Sequence, residues 1–255
     1  MEEAVEKSAK LLGEARGVLA FTGAGLSTES GIPDFRSPGG IWDRYDPSDF
    51  DFHRIVSSDR AREAYWKMST EFYGTMKDAR PNPAHFALRE LEETGRLSAI
   101  VTQNIDNLHQ KAGSSPEKVI EIHGTAFRVS CLDCGRTYAR DAIEARLAAG
   151  ESLPACDDCS GILKPATISF GQAMPREAME ESLRLAEACD LCLVLGSSLV
   201  VYPAASVPAR AHESGARLLI INRDTTPLDD LADVVIHDSV GELLPRIVRA
   251  AGRFS

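Results

Sequence analysis

Residues 18–37, VLAFTGAGLSTESGIPDFRS, decide how the rest of the chain is read. Four apolar or small residues, Val18 to Phe21, predict a short buried strand. They run directly into Thr22-Gly23-Ala24-Gly25, where glycine permits close backbone approaches that a Cβ would block. A turn of this kind at the carboxyl end of a strand is expected to present N–H groups to a pyrophosphate. It is not the G-x-G-x-x-G fingerprint, because Thr28 replaces the third glycine, nor a P-loop, because no Gly-Lys-Ser/Thr follows. Taken alone, the glycine pair reads equally well as a plain tight turn. The continuation Ser30-Gly31-Ile32-Pro33-Asp34-Phe35-Arg36 places an aromatic ring, a carboxylate and a guanidinium in an irregular segment, the composition of a functional loop.

Outward from this loop, apolar strands alternate with helices. Strands are predicted at 18–21, 97–102, 119–122, 191–195, 218–221 and 234–236. Helices are predicted at 2–14, 58–76, 83–93, 175–188, 203–213 and 241–250, the third capped by Asn82 with Pro83 at its first position. Such alternation favours an α/β fold with a mostly parallel sheet covered by helices on both faces, while two long interruptions argue against a parallel barrel. Ligands bind beyond the carboxyl ends of such strands. Ala24, Asn104, His123, Gly196 and Asn222 each follow a predicted strand, so one cleft can collect them. Aromatic residues from Trp42 to Tyr73 predict either a helical insertion packed over the first loop or a long connection with its own satellite core.

A chain of 255 residues and 27.6 kDa suffices for one large core and a small appendage. Its 44% apolar content and net charge of −10 exclude a disordered chain and argue against general affinity for nucleic acid or anionic membranes. No apolar run approaches membrane-spanning length, and residues 1–10 lack a signal-peptide core, so a reducing cytoplasm is the expected compartment.

Two C-x-x-C pairs, Cys131/Cys134 and Cys156/Cys159, stand twenty-one residues apart, each in a turn-like setting. Four thiolates at this spacing can converge tetrahedrally on Zn²⁺, and with cysteine in every ligand position the metal would be structural. This reading is preferred over redox thiols, since one dithiol explains half the pattern, and over an iron–sulfur cluster. A helix is expected over 138–149. A third pair, Cys189/Cys192, is read as buried and inert because residues three apart in a strand point to opposite faces.

The polar residues after the strands remain open in isolation. Asn104 and Asp106, beside Gln103, could cap a helix or hold a ribose or nicotinamide, and Gly196-Ser197-Ser198 could be an ordinary turn or hold phosphate or ribose. His123, next to Gly124, is the best candidate base among six histidines.

Several motifs together carry a resemblance. GAGLSTESGIPDFR resembles the cofactor loop of the sirtuins, the NAD-dependent protein-lysine deacylases, most like bacterial and archaeal deacetylase members. Thr102-Gln103-Asn104-Ile105-Asp106, Glu121-Ile122-His123-Gly124, GSSLVVYPAA from Gly196 and Ile221-Asn222-Arg223 resemble further sirtuin motifs in the same order. The resemblance implies a Rossmann-like NAD-binding core at 1–38, 83–126 and 165–255, a helical insertion at 39–82 and a zinc module at 127–164. It implies that NAD⁺ contacts Gly23, Ala24, Gly25, Ser27, Asp34, Phe35, Arg36, Gln103, Asn104, Asp106, His123, Gly196, Ser197, Ser198 and Asn222. His123 and Asn104 would be catalytic, and Phe35 would cover the reactive ribose. An acylated-lysine segment of a protein would meet Tyr73, Met76, Ile168, Phe170, Val200, Val201 and Tyr202. The implied products are deacylated lysine, O-acyl-ADP-ribose and nicotinamide, with one structural zinc ion held by the four cysteines.

Two departures matter. Gln172 stands where the family has the glutamate of Phe-Gly-Glu. Sirtuins that favour succinyl or malonyl lysine carry a Tyr-x-x-Arg pair in the insertion; here Tyr73 matches and Met76 replaces the arginine, so acetyl and other neutral acyl groups are expected. The alternatives are a mono-ADP-ribosyltransferase and a non-enzymatic NAD-sensing or protein-binding module. Substrate proteins and oligomeric state are unassigned.

Overall fold

The computed structural model describes residues 1–254; Ser255, the last residue of the expected core, lies outside the described residues. The chain begins with helix α1 (Glu2–Glu14) and strand β1 (Val18–Thr22), then passes through four short 3₁₀ turns before α2 (Phe52–Ser57) and α3 (Asp59–Asp78). Helix α4 (Pro83–Glu93) leads to β2 (Leu97–Thr102), α5 (Leu108–Lys111) and β3 (Val119–Glu121). A second small sheet follows, built from β4 (Gly124–Cys131), β5 (Thr137–Ala139) and, after α6 (Arg140–Ala148), β6 (Leu163–Thr167). The chain closes with α7 (Arg176–Ala188), β7 (Leu191–Leu195), α8 (Ser206–Glu213), β8 (Arg217–Ile221), β9 (Val234–Ile236) and α9 (Val240–Ala251).

The larger sheet has the order β3-β2-β1-β7-β8-β9, and all its pairings are parallel. Alternation along the strands explains why both faces are covered. Val18 and Ala20 enter the core shared with α1, α4 and α9, whereas Leu19 and Phe21 enter the core shared with α7 and α8. From β1 the chain builds outward to β2 and β3 on one side, and later from β7 to β8 and β9 on the other. The loops after β1 and β7 therefore flank the topological switch point, where a crevice opens.

The smaller sheet is antiparallel in the order β5-β4-β6. Its hinge to the core is Gly124, directly after His123. Gly124 has φ of 72°, and a Cβ there would meet the Ala166 carbonyl oxygen at 2.0 Å, so only glycine lets β4 leave the core while β6 passes beside it. The helix expected over 138–149 is shorter than the sequence suggested. Tyr138 belongs to β5, paired with Val129, and α6 starts at Arg140. The helix expected from 203 begins at Ser206, after a turn. Strand β4 was not anticipated, because its register with β6 shifts between Gly124 and Val129 and its burial pattern is irregular.

Candidate active site

A cavity of about 390 Å³ opens at the switch point, and its wall is drawn from the loops that follow the core strands, from the smaller sheet and from α3. Its floor is an interlock of two loops. Gly23 N–H donates to Leu195 O (3.1 Å), and Gly25 N–H donates to Gly196 O (2.9 Å). Gly196 has φ of 63°, and a Cβ there would lie 2.2 Å from the Leu26 nitrogen. The glycines thus serve loop-to-loop packing, which corrects the expectation that their amides face a phosphate: both are already spent. The N–H groups of Ala24, Ser197 and Ser198, which line the cavity, are among those of these two loops with no hydrogen-bond partner among the described residues.

A polar chain spans the carboxyl ends of β1 and β2. The Asn104 side-chain amide donates to Gly23 O (3.0 Å) and to Ser27 Oγ (3.1 Å), while Ser27 Oγ donates to Asp106 Oδ2 (2.7 Å). Asp106 Oδ1 accepts from Leu108 N–H (2.9 Å). Both Asn104 donors are therefore committed to the protein, and Oδ1 remains as its acceptor. Burial raises the Asp106 pKa above the ordinary carboxylate value, opposed by the Ser27 and Leu108 hydrogen bonds. Gln103 reaches the other loop, donating from Nε2 to Ser197 Oγ (2.8 Å).

His123 lies across the cavity wall, with Nδ1 3.1 Å from Gln103 O. A carbonyl only accepts, so Nδ1 carries the proton and Nε2 keeps a lone pair. Burial lowers the imidazole pKa from 6.5, with the Gln103 bond opposing, so the ring is neutral at pH 7. A neutral imidazole with one nitrogen anchored is arranged to accept a proton.

The 34–37 loop is organised by its own carboxylate. Asp34 accepts from the N–H groups of Arg36 and Ser37 and from Ser37 Oγ (2.6 Å). The Phe35 ring packs tilted against Trp42, with centroids 5.1 Å apart, and Trp42 also meets Phe50 at 5.2 Å and Phe170 at 6.0 Å. One aromatic cluster thus ties the first loop to the insertion and to the segment after β6. Asn222 donates from Nδ2 to Asp224 O (2.8 Å), and it lines the cavity with Arg36 and Ser198.

Every residue expected to contact NAD⁺ lines this cavity, as do Met76, Ile168, Phe170, Val201 and Tyr202. Tyr73 and Val200 are not among its lining residues. Tyr73 is buried against Phe127 and turns its hydroxyl to Asp141 (2.9 Å); Val200 is exposed. The sequence reading missed Tyr65, Met68 and Phe72, which with Met76 form a stripe along α3 that lines the cavity. Their helical spacing was the available signal. Gln172 accepts from Ser169 N–H through Oε1 (3.1 Å), a local bond that a glutamate oxygen would make equally well.

In the smaller lobe, the sulfur atoms of Cys131, Cys134, Cys156 and Cys159 all lie within 4.8 Å of one another, a cluster that could hold a metal ion. The Tyr138 hydroxyl, 3.2 Å from Cys156 Sγ, holds that thiol down to about pKa 6. Cys189 and Cys192 behave differently. Cys189 precedes β7, and both thiols enter the same apolar core, so the opposite-face argument does not apply. They are nonetheless held protonated: burial pushes Cys189 up to about 11 and Cys192 well above its usual value.

Comparison with known proteins gives a consistent result. A model of the Sir2 family matches residues 23–203. The NAD-dependent protein deacetylase 1 of Bradyrhizobium diazoefficiens is 47% identical over 244 residues, covering 96% of this chain and 95% of that one. A solved Sir2 complex with a p53 peptide and NAD⁺ superimposes with a TM-score of 0.87 at 40% identity, covering 95% of this chain and 96% of that one. A Sir2 structure bound to a propionylated peptide has a TM-score of 0.85 at 39% identity, covering 96% and 97% of the two chains.

Proposed function

The chain belongs to the Sir2 family, and on that premise we propose how it acts as an NAD-dependent deacylase of protein lysine side chains. The reaction converts acyl-lysine, NAD⁺ and water to lysine, O-acyl-ADP-ribose and nicotinamide. The observation that carries this reading is the convergence of Asn104, Asp106 and a neutral, anchored His123 on a cavity that is also lined by the apolar stripe of α3. Bound NAD⁺ supplies an electrophilic ribose carbon and a departing nicotinamide.

The residues of this chain bind, orient and exclude water around that chemistry. The free amides of Ala24, Ser197 and Ser198 suit the pyrophosphate, and Asn222 suits the adenosine ribose. Asp106, supported by Ser27, holds the carboxamide end, while Asn104 Oδ1 orients a hydroxyl or water. Phe35, braced by Trp42, covers the ribose. His123 Nε2 accepts the proton that a ribose hydroxyl releases as it takes the acyl group. The acylated segment adds beside Ile168–Phe170 and the 200–202 loop, whose exposed Phe170, Val200 and Tyr202 offer an apolar edge. Arg36 stays within the loop that Asp34 shapes.

Protonation of His123 sets the acid limb of the rate. Its folded pKa is depressed, so the active neutral form persists as pH falls and is lost only below the ordinary imidazole value. The kcat/KM for peptide should fall with a midpoint below pH 6.5, retaining more than half its plateau at that pH. A midpoint at 7 or higher, measured with NAD⁺ saturating, would contradict a buried neutral base.

Met76 is buried with Ala126, and Ile32, Ile105 and Phe127 pack against them. Lys111, a cation beside this group, is committed to the carbonyl oxygens of Met76, Lys77 and Ala79 and to the Phe127 ring, and it does not line the cavity, so it is not placed to pair with a succinyl carboxylate. Acetyl-lysine should therefore exceed succinyl-lysine in kcat/KM on one peptide by at least on the order of 100-fold, because an unpaired carboxylate would have to be buried. Met76→Arg should shift the ratio toward succinyl; faster turnover of succinyl by the unaltered protein would rule the assignment out.

The four-cysteine cluster is assigned to one structural zinc ion. Sulfur pairs stand at 3.5 Å (Cys131–Cys159) and 3.6 Å (Cys134–Cys156), close to the roughly 3.8 Å edge of a tetrahedron with Zn–S bonds of about 2.3 Å. Among the described residues no cysteine is in a disulfide, which suits a reducing cytoplasm. The division into an NAD-binding core, an insertion and a zinc module is retained as the functional layout.

A further inference from the structure

Lys164 is a cation in the wrong place for an ordinary lysine. It is 1% exposed, and among the described residues no carboxylate pairs with it. Its ammonium lies 5.5 Å above the Tyr65 ring and donates to Thr167 O (2.5 Å) and, more weakly, to Pro165 O (3.3 Å). Tyr65, from α3, also places its hydroxyl 3.1 Å from Thr167 Oγ1. Burial lowers the lysine pKa, the Tyr65 interactions opposing. Burying an ammonium is costly, and packing alone would be served better by an apolar side chain of the same length.

What the ammonium grips is informative. The carbonyl of Thr167 and the N–H of Ile168 are the two ends of one rigid peptide unit. That N–H donates to His123 O (2.9 Å). The cation pulls on one end of the unit while the backbone of the base-bearing residue accepts from the other, so each bond polarises and strengthens the next. Two residues on, Phe170 is fixed by Phe50 O (3.0 Å) and Phe52 N–H (2.9 Å) from the insertion. Ile168 and Phe170 line the cavity where a peptide would add.

We propose that Lys164, seated on Tyr65, is a positioning residue for the acylated peptide, holding the 167–168 peptide unit that joins the substrate-side wall to the backbone of His123. The proposal deepens the deacylase reading and rests on it. It predicts a defect concentrated on the peptide, because none of these hydrogen bonds is made to the loops after β1 and β7.

Three variants test it: Lys164→Met, Lys164→Arg and Tyr65→Phe. Each is assayed for acetyl-lysine peptide KM, for peptide affinity by fluorescence anisotropy and for NAD⁺ affinity by calorimetry. Lys164→Met should raise peptide KM and Kd about tenfold or more, the loss of one charge-assisted hydrogen bond, with NAD⁺ affinity within about twofold. Lys164→Arg, which can donate to the same carbonyl and stack on Tyr65, should recover most of the loss. Tyr65→Phe should weaken peptide binding by a smaller factor in the same direction. Peptide KM within twofold of the parent in Lys164→Met, or equal losses for peptide and NAD⁺, would overturn the proposal. If Lys164→Met does not fold, Tyr65→Phe decides: parental peptide affinity overturns the proposal, and selective weakening supports it. A parent protein that neither binds nor deacylates the peptide would instead refute the deacylase reading.

Discussion

Replacing His123 with alanine should lower kcat for an acetyl-lysine peptide by about 100- to 10,000-fold, the usual worth of a positioned general base. NAD⁺ binding should persist. The imidazole makes one bond to the protein, Nδ1 to Gln103 O, so its removal leaves the interlocked glycine loops and the Asn104–Ser27–Asp106 chain intact. No neighbouring group stands ready to replace it. Asp106 is committed to Ser27 and Leu108, and Glu121 receives Gln110 Nε2 at 3.2 Å. Folded variant protein with near-parental turnover, measured beside NAD⁺ affinity on the same preparation, would remove His123 from the mechanism.

The second large effect concerns the zinc module. Among the described residues its own buried apolar residues are Val129, Cys131, Ile143, Cys156 and Leu163, joined by Trp66 from α3, too few to hold a fold without a metal. Helix α6 of this module also clamps α3. The Arg140 guanidinium sits between the rings of Trp66 and Tyr73, at 5.1 and 5.0 Å, and donates to Ser69 Oγ (3.0 Å). Tyr73 and Lys77 both donate to Asp141, and Thr70 donates to Glu144. The neighbouring face of α3 is the cavity wall formed by Met68, Phe72 and Met76, and Ser69 belongs to both faces. Cys131→Ser or zinc removal by chelation should therefore unfold the module, release α3 and cut deacylation by on the order of 100-fold or more, the consequence of misplaced substrate rather than lost chemistry. The six-stranded sheet should remain folded. Metal analysis of intact protein should give one zinc per chain, with new proteolytic cleavage in 127–164 after its loss. Zinc-free protein with parental activity and no new cleavage would contradict this account.

How far the sequence was legible depends on the range of the interaction that decides each element. The six core strands were readable because each is a local apolar run, and α4 because Asn82 caps it and accepts from Ala84 N–H as expected. The cleft was readable because its residues follow strand ends. The role of Gly23 and Gly25 was not, since the atoms they must avoid belong to Gly196 and Ser197, far away in the chain. Strand β4 is set by pairing with β5 and β6 rather than by its own pattern, and no local signal told which side of α3 would turn Tyr73 away from the cavity. Lys164 is legible only in three dimensions, because its partner Tyr65 lies far away in the chain, on α3.

The most direct test is the product balance of the purified protein with NAD⁺ and an acetyl-lysine peptide, followed by mass spectrometry. Deacetylated peptide, nicotinamide and O-acetyl-ADP-ribose should form in equal amounts, with no deacetylation when NAD⁺ is omitted. Free acetate released without NAD⁺ consumption, or ADP-ribose attached to protein without loss of the acetyl group, would contradict the account.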